Sequence, residues 1–348
     1  MIVPSTIIEH AADHSNSKDL LVKSIVYYKG YNALSSVWGE QFLKDSGKYC
    51  NGLKCTITNR QKGQSIEGFD MVVMKQPMDQ IPPRKSANQL WVYHFLESQR
   101  YSVNIDLESW DGMFNYTMTY IRSSESNGYD LNYGTNAVKR EQALPEVNYH
   151  QKKLGMVGSK EANALWLVSD CDLWVQSLRE EQVLNLTKHM PVDAFSHDEQ
   201  CKRKLNNTLG DKFDAKNPYN AYWFYLAYEN SLCRDYITEK FWKIIASDSL
   251  TIPVVLGGYS MKDYEIVAPP NSYIDVRNFT SAKHLAEHLK YVTENEDAFN
   301  YYHQWRNEYQ IPTYKYKAGK SGPMKSGITQ SLSMISIAGT RVYLRYWY

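Results

Sequence analysis

The sequence predicts an α/β protein built as two domains with a cleft between them. Three observations carry that reading. The chain has 348 residues, enough for two domains of ordinary size, each with its own core. Its first part alternates short apolar runs with polar turns, and its second part alternates apolar runs with amphipathic helical stretches. Hydrophobic residues make up 43% of the chain and charged residues 22%, the composition of a folded globular protein rather than a disordered or fibrous one.

Each element follows from local chemistry. Residues 21–29, LVKSIVYYK, are rich in valine, isoleucine and tyrosine and predict the first strand. Phe69 to Lys75, FDMVVMK, predicts another, and the proline-punctuated QPMDQIPPR breaks it off into a loop. QLWVYHFLE carries the chain from a turn through an apolar run to a carboxylate, Glu97. FNYTMTYI alternates in part and ends at Arg122, before a loop of Ser, Asn, Gly and Asp. Residues 130–160 are mixed and polar and read as the crossing between domains, which are placed at 1–150 and 151–348.

The second part has a clearer rhythm. ALWLVSDC, Ala164 to Cys171, is an apolar run closing on polar residues, as a buried parallel strand does at its carboxyl edge. LREEQVLNLTKH then puts Leu178, Val183 and Leu186 on one helical face, and Pro191 bars continuation. YWFYLAYEN is the next strand, followed by a helix in ITEKFWKIIAS with Thr238 as cap and Phe241, Ile244 and Ile245 facing inward. TIPVVLGG is a strand stopped by glycine, and NSYIDVRNF is another. SAKHLAEHLKYV sets Leu285, Leu289 and Val292 on one face, capped by Ser281. This order implies a parallel sheet covered by helices, with ligands bound beyond the carboxyl ends of its strands. The tail beyond Ile311 is basic and glycine-containing up to Lys325 and carries no assigned chemistry.

Composition narrows the function. With 39 basic against 38 acidic residues, the net charge of +1 gives no support for a nucleic-acid track, although a local basic pocket for a phosphate-bearing molecule is compatible with it. Tyrosine (28) and tryptophan (9) supply flat apolar area with a polar edge, which suits sugar faces, though most such rings pack in cores. No run of about 18 apolar residues occurs, and the opening segment lacks the basic start and apolar stretch of a signal peptide. Four sequons, at Asn115, Asn185, Asn206 and Asn278, favour the secretory pathway. Of five cysteines, Cys50 and Cys55 stand close enough to close a small loop, no zinc-type spacing is present, and the odd count leaves a thiol over. An oxidising compartment is expected.

One segment carries far more specific information. FYLAYENSLCRDYITEKFW, Phe224 to Trp242, followed by TIPVVLGGYS, resembles the donor-binding signature of the α1,3-fucosyltransferase family. FNYTMTY and QLWVYHFLES are similar to two further blocks of that family, and the resemblance runs from about Pro82 to about Trp305, with poor matching from Ser123 to Lys160. It implies an inverting, GDP-fucose-dependent glycosyltransferase of two Rossmann-like domains facing across a cleft, the GT-B architecture. The carboxyl-terminal domain would hold the donor, and the acceptor hydroxyl would belong to N-acetylglucosamine of a glycan or glycoprotein. A Golgi lumenal location follows, as a type II membrane protein whose anchor is absent from this chain. No cofactor is implied beyond GDP-fucose as donor substrate, and no nucleic acid.

Fucosyl transfer with inversion needs a base for the attacking hydroxyl and positive charge for the departing diphosphate, on opposite walls. Glu97 matches the family's base, and the apolar run before it predicts a partly shielded carboxylate with a raised pKa. Gln99 stands where the family has proline, which loosens the backbone after the base. Lys240 and Arg179 match the family's phosphate-binding residues, Lys240 in the first turn of a helix whose free amides also favour an anion and Arg179 able to fork onto phosphate oxygens. Glu239 is expected to hold fucose or ribose hydroxyls, and Tyr236 to stack or bond near sugar and phosphates. Glu229 and Asn230 belong to the same signature, Glu229 equally as a carboxylate that holds the loop. Trp91, Tyr93, His94, Asn115 and Arg122 flank the base and are candidates to touch either substrate, and Arg234 adds charge nearby. Asp170 and Asp172 spell the Asp-x-Asp of metal-using transferases. The family generally has another residue there, so Asp170 reads as loop support and no metal site is expected. The loop from Ser123 to Gly134 departs from the family pattern, which leaves the acceptor open between the N-glycan core, favoured, and peripheral lactosamine units. A glycan-binding protein that kept the fold without catalysis is the contrasting class.

Overall fold

The computed structural model describes residues 22–28, 54–60, 63–75, 82–83, 88–98, 108–122, 137–159, 161–171, 177–196, 198–199, 201, 219–311, 330–337 and 340–347. Its first sheet holds β1 (Val22–Tyr27), β2 (Lys54–Asn59), β3 (Met71–Lys75), β4 (Leu90–Phe95) and β5 (Tyr116–Thr119). The order is β2-β1-β3-β4-β5, parallel throughout. Alternate residues Val72 and Met74 of β3 join Val26, Ile66 and Trp91 in one buried cluster, the period-2 pattern of a strand. Strand β2, KCTITN, is not predicted by the cysteine-loop reading of Cys50 and Cys55, and Cys50 lies outside the described residues.

The chain continues through β6 (Val138–Lys139), α1 (Tyr149–Val157), β7 (Ala164–Leu167), α2 (Arg179–Leu186), β8 (Val192–Phe195), β9 (Phe224–Tyr228), α3 (Glu239–Ile245), β10 (Ile252–Leu256), α4 (Met261–Val267) and β11 (Ile274–Asp275). Then follow α5 (Ala282–Glu294), α6 (Glu296–Tyr301), α7 (Trp305–Glu308) and β12 (Tyr309–Gln310). The second sheet is again parallel, in the order β11-β10-β9-β7-β8. Counted from its own first strand, each sheet has the order 2-1-3-4-5, a doubly wound arrangement. Outside the two sheets, β6 pairs antiparallel with β12, and β13 (Gln330–Ile337) with β14 (Thr340–Trp347).

Strand β9 shows why helices cover both faces of the second sheet. Phe224, Leu226 and Tyr228 face the layer of α1, α2, α5 and α6 with Val183, Leu285, Leu289 and Phe299. Tyr225 and Ala227 face α3 and α4 with Phe241, Ile244, Tyr264 and Val267. Each large side chain so buried contributes roughly 1.5–3 kcal/mol. Thr238 and Ser281 cap α3 and α5 through their side chains, as the sequence predicts.

Two expectations need correction. Leu178 does not share the face of Val183 and Leu186: it precedes α2 with φ 51° and is 58% exposed. The stretch read as a polar crossing contains α1, whose Tyr149 belongs to the second sheet's core. Its buried face includes His150 and Lys153, and polar residues on that face hide the helical period from a hydrophobicity reading.

Candidate active site

In a sheet of this order the strand connections change direction between β7 and β9, and their carboxyl ends open a crevice there. Arg179, only 3% exposed, sits at that point. Its Nη2 donates to the Asp170 carbonyl beyond β7 and its Nη1 to the Tyr228 carbonyl at the end of β9, 3.4 Å away. Its Nε donates to Glu180 Oε1 at 3.3 Å. The guanidinium expected to fork onto phosphate oxygens therefore forks onto backbone carbonyls of two neighbouring strands. Asp170 supports the loop through its carbonyl, and Asp172 lies outside the described residues.

One residue past β9 stands Glu229, fully buried. Its carboxylate accepts from the Thr238 amide at 2.8 Å and the Thr238 hydroxyl at 2.9 and 2.8 Å, and lies 3.1 Å from Lys240 Nζ. Lys240 Nζ also donates to Thr238 Oγ1 at 2.9 Å and to Glu239 Oε1 at 3.2 Å. Burial pushes the Glu229 carboxyl up, and Lys240 pulls it back in part. Burial disfavours the Lys240 charge, but Glu229 and Glu239 outweigh it and raise the ammonium's pKa. Burial also acts on Glu239, and Lys240 with Lys243 outweighs it, so that carboxylate is held below its ordinary range. The result is a cation gripped between two carboxylates. The first-turn amides expected to meet an anion are partly taken within the protein: Thr238 N by Glu229 and Lys240 N by the Thr238 hydroxyl. Half-buried Asn230 adjoins this cluster along the chain.

Gly257, after β10, closes the floor. A Cβ there would lie 2.6 Å from Glu229 Cγ and 2.7 Å from the Tyr264 hydroxyl, so only glycine lets the strand pass.

The exits of β4 and β5 contact the segment between β9 and α3. Glu97 follows β4 and is exposed, which corrects the expected shielding: the apolar run before it is buried in the first sheet, but the carboxylate itself projects beyond. Tyr236, 1% exposed and in the segment between β9 and α3, donates its hydroxyl to Glu97 Oε2 at 3.2 Å. Burial first, then the Glu97 carboxylate, drives the phenol's pKa far up, so it stays a donor. The Tyr236 ring packs edge-on against Tyr120 at 4.8 Å. Beside these, Arg122 donates Nε and Nη2 to Asp235 Oδ1 at 3.1 and 2.5 Å, and its backbone amide to Oδ2 at 3.1 Å. The hydroxyls of Ser98 and Ser231, both fully buried, meet at 2.7 Å.

Comparison with known proteins now decides the kinship. Residues 23–128 match the family described as fucosyltransferase, N-terminal, and residues 157–329 match glycosyltransferase family 10 (fucosyltransferase) C-term. The chain belongs to glycosyltransferase family 10. This family 10 chain is 32% identical over 288 residues to alpha-(1,3)-fucosyltransferase C of Drosophila melanogaster, covering 78% of itself and 65% of that relative. It is 30% identical over 294 residues to glycoprotein 3-alpha-L-fucosyltransferase A of the same organism, covering 82% and 53%. With 3-galactosyl-N-acetylglucosaminide 4-alpha-L-fucosyltransferase FUT3 of Bos taurus the identity is 33% over 235 residues, covering 67% and 58%. The chain thus spans between about half and two thirds of the length of these relatives.

Within this family 10 chain the structure brings together Arg179, Glu229, Glu239 and Lys240 at the carboxyl edge of one sheet, and Glu97 with Tyr236. The other flanking candidates are engaged within the protein or lie apart from this group. Trp91 is in the first sheet's core, with Nε1 on Gln89 Oε1 at 2.9 Å, and its amide donates to Asn115 Oδ1 at 2.8 Å. His94 is buried, Arg234 is 73% exposed on its side chain, and Arg122 is engaged by Asp235. Sequence reasoning missed Asp235, Ser231 and Ser98 as contacts, because their partners lie 113 and 133 residues away.

Proposed function

We propose that this chain is the catalytic region of an inverting transferase that moves L-fucose from GDP-fucose, in α1,3 linkage, to N-acetylglucosamine of a glycan, with the N-glycan core as its acceptor. The observation that carries the reading is Glu97 held by the Tyr236 hydroxyl, on the same short segment that leads into Glu239 and Lys240. The base and the charged cluster are thus tied to one another across the gap the donor sugar would fill. We assign residues 1–150 to the acceptor side and 151–348 to the donor side.

In this mechanism Glu97 takes the proton of the acceptor hydroxyl, whose oxygen attacks the anomeric carbon of fucose. The bond from that carbon to the diphosphate oxygen breaks, and its electron pair leaves with GDP. The exposure of Glu97 leaves room for a glycan arriving from solvent. Lys240, whose proton is secured by Glu229 and Glu239, meets the charge that develops on the diphosphate, together with Arg179. Glu239, kept ionised, accepts fucose or ribose hydroxyls. Two cations at the diphosphate lead to the expectation that transfer survives a chelator.

The core acceptor is supported by the likeness to the fly relative named for glycoprotein fucosylation. The likeness to the bovine relative named for 3-galactosyl-N-acetylglucosaminide favours peripheral units as a second reading. The sequons and the buried Cys171–Cys201 disulfide support a lumenal site, which we place in the Golgi. Labelled transfer from GDP-fucose to a glycan panel, with and without chelator, tests the donor, the acceptor and the metal independence. Core-only labelling supports the first reading and lactosamine labelling the second. Binding of GDP with no transfer to any glycan would mark a glycan-binding protein instead. Glu97→Gln is expected to lose turnover by roughly two to four powers of ten while keeping its affinity for GDP.

A further inference from the structure

Asp235 has no chemistry of its own in that mechanism, yet the fold spends an unusual backbone on it. Its φ is +64°, a left-handed conformation that costs a residue other than glycine of order 1 kcal/mol. Its side chain, 6% exposed, is hydrogen-bonded by Arg122 from the first sheet, guanidinium to Oδ1 and backbone amide to Oδ2, while the exposed Arg234 Nε lies 3.9 Å from Oδ2. The turn is tight on both sides, with Tyr236 N on the Cys233 carbonyl at 3.1 Å and Ile237 N on the Asp235 carbonyl at 2.9 Å. Tyr236 comes next in the chain, its ring against Tyr120 and its hydroxyl on Glu97. Tyr120 and Arg122 leave β5 two residues apart, so one short segment grips both the turn and the ring it aims.

We propose that Arg122 and Asp235 are positioning residues for fucosyl transfer: their ion pair holds the left-handed turn that points the Tyr236 hydroxyl at the Glu97 carboxylate. This rests on the function proposed above. In this role the pair acts through Tyr236 and Glu97 rather than on the substrate itself. It fixes where the base sits, and a base displaced by about 1 Å loses on the order of a hundredfold in rate. Asparagine at 235 tolerates the same backbone but offers no charge and only one acceptor oxygen, so Asp235→Asn separates the ion pair from the fold.

The experiment measures kcat, KM for acceptor and Kd for GDP in Asp235→Asn, Arg122→Lys, Tyr236→Phe and the double variant Asp235→Asn/Tyr236→Phe. The expected result for Asp235→Asn is a kcat lower by about 10- to 100-fold with Kd for GDP within about twofold, since Lys240, Glu229 and Arg179 are untouched. Arg122→Lys, which keeps the charge but not the fork, should fall between wild type and Asp235→Asn. If Asp235 acts through Tyr236, the double variant is no slower than Tyr236→Phe alone. Multiplying losses, or a GDP affinity that falls in step with kcat, would overturn the proposal in favour of general destabilisation. A wild-type chain with no transfer at all sinks the proposed function and not the turn. Hydrogen exchange then decides: faster exchange at the Ile237 and Gly258 amides in Asp235→Asn supports the clamp, and unchanged exchange refutes it.

Discussion

Lys240 is the residue at which chemistry and stability are hardest to separate. It is the ammonium that Glu229, with no exposed surface, depends on. Removing one member of a buried ion pair leaves the other uncompensated, at a cost of about 3–5 kcal/mol. The Glu229–Thr238 hydrogen bonds remain and soften that loss, so Lys240→Ala is expected to lose about 2–4 kcal/mol by urea denaturation, along with GDP affinity. The sign with pH can be worked out. Burial already raises Glu229, and losing Lys240 removes the charge that lowers it. The folded variant then keeps a proton that the unfolded chain gives up, so its stability falls as pH rises through the carboxylate range. The deficit against wild type should be larger at pH 7.5 than at pH 5. Equal deficits would mean that Glu229 does not carry the charge the ion pair requires.

Among the elements, α1 makes the sharpest prediction because it drives a lysine into the fold. Lys153 is fully buried, and its ammonium donates to the Ser249 carbonyl at 2.8 Å, Thr251 Oγ1 at 3.0 Å and the Asn220 carbonyl at 3.3 Å. Burial first, then the charge of Arg306, lowers its pKa to about 7. An unfolded chain keeps that proton up to the ordinary lysine value, so between the two pKa values unfolding takes up a proton and stability rises with pH. In Lys153→Met this slope, at most about 1.4 kcal/mol per pH unit, should be missing from thermal or urea denaturation between pH 7 and 9. The same helix shows where sequence reading ends. Runs such as ALWL, FYLAY and IPVVL announce β7, β9 and β10 because both their faces are covered, and α5 announces itself through Leu285, Leu289 and Val292. In α1 the buried positions are Tyr149, His150 and Lys153, each met by a distant partner: Asn307 of α7 for Tyr149, the Thr293 carbonyl of α5 for His150, and the segments entering β9 and β10 for Lys153. Strand β8, VDAF, is hidden by its shortness and its central aspartate. At the site, the signature block made Glu229, Glu239 and Lys240 legible. It could not reveal that Arg179 would spend its donors on carbonyls, because that depends on where two strands end.

At the scale of the whole molecule, two sheets of one strand order meet, among the described residues, through polar contacts and through Leu96, Tyr120 and Ile121, which pack into the apolar cluster of the second sheet. The Cys171–Cys201 disulfide ties the exit of β7 to the region after β8, and both sulfurs are buried. Cys233 remains a free thiol, partly exposed, in agreement with the odd cysteine count. Closing a loop of 30 residues stabilises by about 3.6 kcal/mol in the chain-entropy view. Replacing both cysteines by alanine should therefore lower stability by about 2–4 kcal/mol. Because Cys171 follows Asp170, whose carbonyl holds Arg179, the same variant should bind GDP more weakly in a thermal-shift titration. Unchanged GDP affinity would show that the tether serves the fold alone.

Gly257 has a further consequence for how this protein can change. The usual routes to a sturdier protein include giving a glycine a side chain, which restricts the unfolded chain. Here the first carbon of any such side chain would strike the stem of Glu229, whose carboxylate grips Lys240, and the Tyr264 hydroxyl. A gain in rigidity at that spot would displace the Glu229–Lys240 pair, so a route to heat resistance must lie elsewhere along the strand.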